Sequence, residues 1–173
     1  TGEGQTPHTF EDTFVGLLKP GMSKQGWPFL QGQFGMGSTA VLPHCGLNGY
    51  KLICSAGMEQ PSNWSWTLIR KNKPGNAYEY LRVDGEVPQF DGELRGKSAG
   101  SVIKLYNYQF SSKSNITNYF RYDLARVITE SPVPIQLEET RYDDRQRHAH
   151  VVGLKTLINR HSEYVERKQT VQY

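Results

Sequence analysis

Between Gly32 and Ala40 the chain reads GQFGMGSTA, a spacing of small residues that suits the binding of an anion. Gly32, Gly35 and Gly37 leave backbone N–H groups uncovered by side chains. Ser38 and Thr39 can cap a following helix, whose N-terminus favours negative charge. Backbone donors at Gly35, Met36 and Gly37 would cradle a run of phosphates. The same letters also describe an ordinary turn, so the loop gains meaning only from its neighbours. Lys24, in the segment just ahead, could swing over to neutralise a terminal phosphate, although a solvated lysine is the commoner outcome for it and for Lys19. Gln33 is placed either to reach that phosphate or to face water.

Other chemistries find less support. His44 has no carboxylate close by in sequence, and a partly buried structural role suits it better than that of a general base. There is no GxSxG elbow for a serine nucleophile, and metal-ligand spacing is missing apart from the weak pair His148 and His150. Cys45 and Cys54 are the only two cysteines, lack CxxC or Cys/His spacing, and read as buried free thiols. The cluster RYDDRQR, Arg141 to Arg147, mixes charge signs and reads as a solvated, ion-paired surface rather than a nucleic-acid contact. A formal charge of +3 permits a polyanionic partner without requiring one.

The elements that must position the loop follow from the patterning. At 173 residues the chain can bury one sizeable core, and its 36% hydrophobic content fits a globular rather than a disordered chain. No run approaches the roughly 18 apolar residues of a membrane span, and the first ten residues lack the signature of a signal peptide, so the cytoplasm is the expected compartment. The spacing of Phe10, Phe14, Leu17 and Leu18 predicts a short helix over Thr9 to Leu18, with Glu11 and Asp12 in its first turn. Lys19 to Pro28 is too rich in Pro and Gly for regular structure and reads as a lid. A brief helix over Val41 to Cys45 tolerates Pro43 in its first turn.

Strands are predicted over Tyr50 to Ala56, Trp64 to Arg70, Tyr78 to Val83 and Ser101 to Tyr108. Trp64 and Trp66 then lie on one core-facing side, KNKPGN forms a turn, and a long connection fills Asp84 to Ala99. A helix over Thr117 to Thr129 places Phe120, Leu124, Val127 and Ile128 on one face. A short strand over Pro134 to Arg141, a polar stretch to His150, and a C-terminal helix or arm complete the chain. The expected fold is an α/β (α+β) two-layer sandwich, a mixed but mostly antiparallel sheet with helices on one face.

In this order the chain resembles the ATPase superfamily shared by gyrase B, the heat-shock chaperones, histidine kinases and MutL. Gly2-Glu3-Gly4 is similar to the tail of that family's DxGxG box, with the adenine-recognising Asp expected just upstream of Thr1. GQFGMG, Gly32 to Gly37, matches the GxxGxG phosphate box in full. Gly100-Ser101 entering a strand resembles the Gly-Thr pair whose hydroxyl contacts adenine through water. Within the family, Gly32 to Ile53, YEYL and IKLYNY look like a bacterial branch distantly similar to MORC-type ATPases. The resemblance covers residues 1 to about 110 well and the remainder loosely.

What the resemblance implies is a Bergerat-type fold: a partial ATP-binding domain over 1–140, followed by a polar linker and a helix or arm over 141–173. ATP with Mg2+ would be held by Gly2, Gly4, Lys24, Gln33, Gly35, Met36, Gly37, Ser38, Thr39 and Ser101. Lid closure and a homodimer would follow from ATP binding. The family's helix bearing the catalytic Glu and the magnesium-holding Asn has no counterpart here, so no catalytic or metal residue is assigned and hydrolysis by this chain alone is expected to be poor. The alternative is a non-catalytic module that binds nucleic acid or a protein through its basic C-terminal part.

Overall fold

Successive side chains of a strand point to opposite faces, and in the middle of the chain both faces carry apolar residues to bury, which makes it a sheet packed on two sides. The computed structural model describes residues 4–15, 40–45, 50–72, 77–110, 116–131, 133–140 and 147–160. The chain divides into two units, Thr1–Gln109 and Phe110–Tyr173. The architecture is α+β, a largely antiparallel sheet with helices, as in a two-layer sandwich. Every strand pairing among the described residues is antiparallel.

In the first unit, strands β1 (Lys51–Ala56), β2 (Asn63–Asn72), β3 (Ala77–Tyr80), β4 (Gln89–Asp91) and β5 (Gly100–Leu105) form one sheet. The order is β3-β2-β1-β5, and β4 pairs with β2 beyond the end of β3. One face buries Ile53, Ile69 and Val87 against Phe10 and Leu42, with Phe14, Val15 and Tyr80 packed around them. Full burial of side chains such as Phe10 and Ile53 is worth about 1.5–3 kcal/mol each. The opposite face gathers Cys54, Ala56 and Trp64, with Leu52, Trp66, Phe90, Leu94 and Val102 against them. The two tryptophans therefore share the predicted face.

Helix α1 (Pro7–Phe10) starts two residues before the predicted segment, with Pro7 in its first turn, and runs on as a π-helical stretch, Glu11–Val15. Glu11 does more than complement the helix dipole, since its carboxylate lies 2.8 Å from the Arg82 guanidinium. The predicted brief helix is a 3-10 turn, Leu42–His44, with Pro43 at its start. Residues 16–39, which include the expected lid and the glycine-spaced loop, lie outside the described residues, as do residues 73–76 of the predicted KNKPGN turn.

The connection from Asp84 to Ala99 holds more order than the sequence reading gave it. Two residue pairs, Asp84-Gly85 and Arg95-Gly96, both have positive φ at each position and close tight hairpins, Val83 bridging Glu86 and Leu94 bridging Lys97. These are the mirror-image turns that suit twisted strands. They deliver β4 to the edge of β2 and carry Phe90 and Leu94 onto the tryptophan face.

In the second unit, helix α2 (Ile116–Val127) accompanies a hairpin of β6 (Ile135–Glu139) and β7 (Arg147–Val151) and a short helix α3 (Leu154–Arg160). The hairpin joins residues on either side of position 140. Strand β7 replaces part of the expected polar stretch, burying Ala149 and Val151 while His148 and His150 face outward. Val127 is 75% exposed, against the predicted apolar face. At 3.6 residues per turn it sits about 120° from the midpoint of the buried Thr117 and Ala125, so the packed side of α2 is rotated away from it. Leu154 N–H donates to the Ile128 carbonyl at 2.7 Å and Lys155 N–H to the Thr129 carbonyl at 3.1 Å, joining the end of α2 to the start of α3. Gly153 permits this approach, because a Cβ there would lie 2.4 Å from the Thr129 oxygen.

Candidate functional site

Three serines line up across the sheet. Ser55 on β1 stands opposite Ser65 on β2 and opposite Ser101 on β5, so all three project from one face. Ser55 and Ser65 are fully buried and Ser101 is exposed. A fully buried hydroxyl in an apolar sheet must find partners or cost stability. Ser55 finds three: it accepts from Gln5 N–H at 2.8 Å, donates to the Gly100 carbonyl at 3.0 Å, and lies 2.8 Å from Ser101 Oγ. Ser65 Oγ has no hydrogen-bond partner among the described residues.

The same point is where Gly4 meets the sheet. Its φ of +71° is a conformation that glycine adopts freely, and a Cβ there would stand 1.9 Å from the Ala56 oxygen and 3.0 Å from the Gly100 nitrogen. The backbone of the Gly4-Gln5 segment therefore lies directly on the ends of β1 and β5. Gly4 and the Gly100-Ser101 pair, singled out separately in the sequence, meet at Ser55. The other candidate residues, Gly2, Lys24, Gln33, Gly35, Met36, Gly37, Ser38 and Thr39, lie outside the described residues.

Beside Ser101 opens a cleft of about 460 Å³, with Arg95 and Lys97 from the second tight turn on its wall and the buried Trp64 at its back. The Trp64 indole N–H is the second buried polar group without a partner among the described residues. Trp64 and Leu94 belong to the face opposite that of the three serines, and neither Gly4 nor Ser55 lines this cleft; its two cations suit an anionic group at the β5 edge.

Sequence reasoning missed Ser55, Ser65 and Gln5. The available signal was a serine at a core-facing step of β1, two residues after Ile53, because a polar residue at such a step needs a partner. On the same face Lys51 is buried, and desolvation lowers its pKa, partly offset by the Cys45 thiol. Cys45 and Cys54 are buried free thiols as expected, and burial pushes both upward in pKa, with Lys51 opposing the shift at Cys45. His44 is exposed rather than partly buried, because its 3-10 turn directs it outward near the Tyr108 ring.

Among the described residues no group of three or more His, Cys, Asp and Glu could hold a metal ion, so no Mg2+ ligand is assigned. Among them, too, no helix is long and apolar enough to cross a membrane. No protein-family model matches the chain, and no curated protein matches it in sequence.

Proposed function

We propose that the first unit is part of an ATP-binding domain of the gyrase B, heat-shock chaperone, histidine kinase and MutL type, and that it belongs to a cytoplasmic, ATP-driven conformational switch. The observation that carries this reading is the meeting of Gly4-Gln5 with Gly100-Ser101 at Ser55. Two segments far apart in sequence, each resembling an adenine-contacting box, share one hydroxyl network. The orphaned Ser65 hydroxyl beside Ser55 fits a site completed by a polar ligand.

In this reading Ser101 meets the base edge and Ser55 holds it there. Gly35 to Thr39 would offer backbone and hydroxyl donors to the phosphates, with Lys24 and Gln33 as the candidates for the terminal one. Bound ATP supplies the phosphoanhydride whose cleavage, together with Mg2+, powers the switch, and dimer formation follows lid closure. Cleavage needs a Glu to activate water and an Asn to hold the metal, on a motif that these 173 residues lack.

Calorimetric titration of the chain with ATP tests the reading, with backbone hydrogen exchange followed in parallel. Saturable binding and slowed exchange at Gln5 and across Gly32 to Thr39 are expected. Salt-sensitive binding of DNA or RNA with no response to ATP would overturn it in favour of an interaction module. Turnover by the purified chain should be barely above the uncatalysed rate, and robust hydrolysis would refute the assignment of catalysis to a missing motif.

A further inference from the structure

We infer that Ser55 fixes the hydrogen-bond polarity of Ser101, so that the exposed hydroxyl meets a ligand only as an acceptor and selects a base edge that carries an N–H donor. The inference rests on the nucleotide reading of this site. A serine hydroxyl has one proton and two lone pairs. The Gly100 carbonyl, 3.0 Å from Ser55 Oγ, can only accept, so the Ser55 proton is committed there. Gln5 N–H, at 2.8 Å, can only donate, and it occupies one Ser55 lone pair.

One lone pair of Ser55 remains, and Ser101 Oγ is 2.8 Å away. Distance alone leaves the direction of that bond open. The bookkeeping closes it: Ser55 has no second proton, so Ser101 donates and its own proton is spent. Ser65 does not relieve this demand, because its Oγ makes no hydrogen bond to Ser55 or to any other described residue.

Ser101 therefore presents two lone pairs and no donor to whatever lies against its exposed side. An exocyclic amine in direct contact satisfies it. An edge that offers only acceptors there leaves lone pair facing lone pair, and one that offers only carbon leaves them dry. Ser55 is thus a positioning residue for base selection: it is buried beneath the site and acts through Ser101. Gly4 supports it in turn, because the close approach of that segment brings Gln5 N–H to the Ser55 oxygen.

The test compares ATP with purine riboside triphosphate, which differs only by having hydrogen in place of the 6-amino group. Affinities for both are measured on the full chain, and the quantity read is their ratio. The unmodified chain should favour ATP by about fivefold, the effect of one net hydrogen bond. Ser101→Ala should remove most of that preference. Ser55→Ala, which frees the Ser101 proton to turn toward the ligand, should remove a similar share, and the double variant should fall no lower than Ser101→Ala. Ser55→Thr, which keeps the hydroxyl, should retain the preference.

Equal loss of affinity for both nucleotides in Ser55→Ala, with the ratio intact, would show that Ser55 only supports the fold and would overturn the inference. An unchanged ratio in Ser101→Ala would overturn it from the other side. Ser101 is exposed, so that variant stays informative even where Ser55→Ala folds poorly. If the unmodified chain bound neither nucleotide, the nucleotide reading would fall and this inference with it, whereas ATP binding with an unresponsive ratio removes the inference alone.

Discussion

Replacing Gly4 with alanine separates two costs that usually arrive together. The backbone there is left-handed, at φ +71°, which costs an L-residue about 1–2 kcal/mol. In addition the new Cβ would stand 1.9 Å from the Ala56 oxygen and 2.8 Å from the carbon bearing it. Both are strand backbone, so the Gly4-Gln5 segment would have to lift. Lifting strains the packing by about 1–3 kcal/mol and breaks the Gln5 to Ser55 bond, worth about 1 kcal/mol. Gly85→Ala is the matched control: its φ is +84°, yet nothing lies within 4 Å of the added Cβ. Urea denaturation should place Gly85→Ala about 1–2 kcal/mol below the unmodified chain and Gly4→Ala a further 2–4 kcal/mol below that. Gly4→Ala should also lose ATP affinity, while Gly85→Ala keeps it. Equal destabilisation by the two substitutions would refute the close approach, and with it the structural basis of the site.

Ser65→Ala deletes a buried hydroxyl without a partner and should raise stability by about 1 kcal/mol; a loss of that size in urea denaturation would mean the hydroxyl is bonded. In the second unit, Glu139 accepts from both Thr117 N–H at 3.2 Å and Thr117 Oγ1 at 2.7 Å, tying the start of α2 to β6. Glu139→Ala should therefore cost about 1.5–3 kcal/mol and speed hydrogen exchange in the first turn of α2, and unchanged exchange would refute the tie. Alkaline pH should destabilise the first unit through its thiols. Burial raises the Cys54 pKa, so the folded state keeps a proton that the unfolded chain releases; that stabilisation is intact below the ordinary thiol value and is lost as pH rises through the folded one. Lys51, lowered by burial, acts in the opposite sense between its folded pKa and the ordinary lysine value, because there the unfolded chain holds the extra proton. Cys54→Ala should flatten the fall in denaturation midpoint above about pH 9, and an unaltered slope would count against this account.

The long strands were legible because Trp64, Trp66 and Leu68 alternate along β2 and β1 carries the apolar run Leu52-Ile53-Cys54, which packs because the sheet has a core on both faces. Shorter elements were not. Strand β4 is three residues long and exists because β2 leaves part of its edge unpaired and two tight turns bring the chain back to it. Asp84-Gly85 was a readable turn signal, but Arg95 is an uncommon residue at positive φ, and there the tertiary structure overrides preference. In β7 the alternation of His148, Ala149, His150 and Val151 was readable in principle, and the charges around it masked the pattern. Val127 shows the limit of periodicity: an apolar stripe on α2 is wider than the side that packs, and only the partner decides which part of it is used. For the site, Gly4 and Ser101 were legible as candidates through resemblance. Their meeting depends on a strand register that pairs Ser55 with Ser101, and nothing local in the sequence specifies that.

The junction between α2 and α3 bears on how the second unit opens. Helices of twelve and seven residues are both short for independent persistence in water. Here the carbonyls of Ile128 and Thr129, the two residues just past the end of α2, satisfy the first amides of α3, with Gly153 allowing the contact. Fraying of α2 at its C-terminus therefore strips α3 of its opening hydrogen bonds, and loss of α3 exposes the end of α2. The two should behave as one cooperative block in native-state exchange, with a shared opening free energy rather than a gradient from one helix to the next.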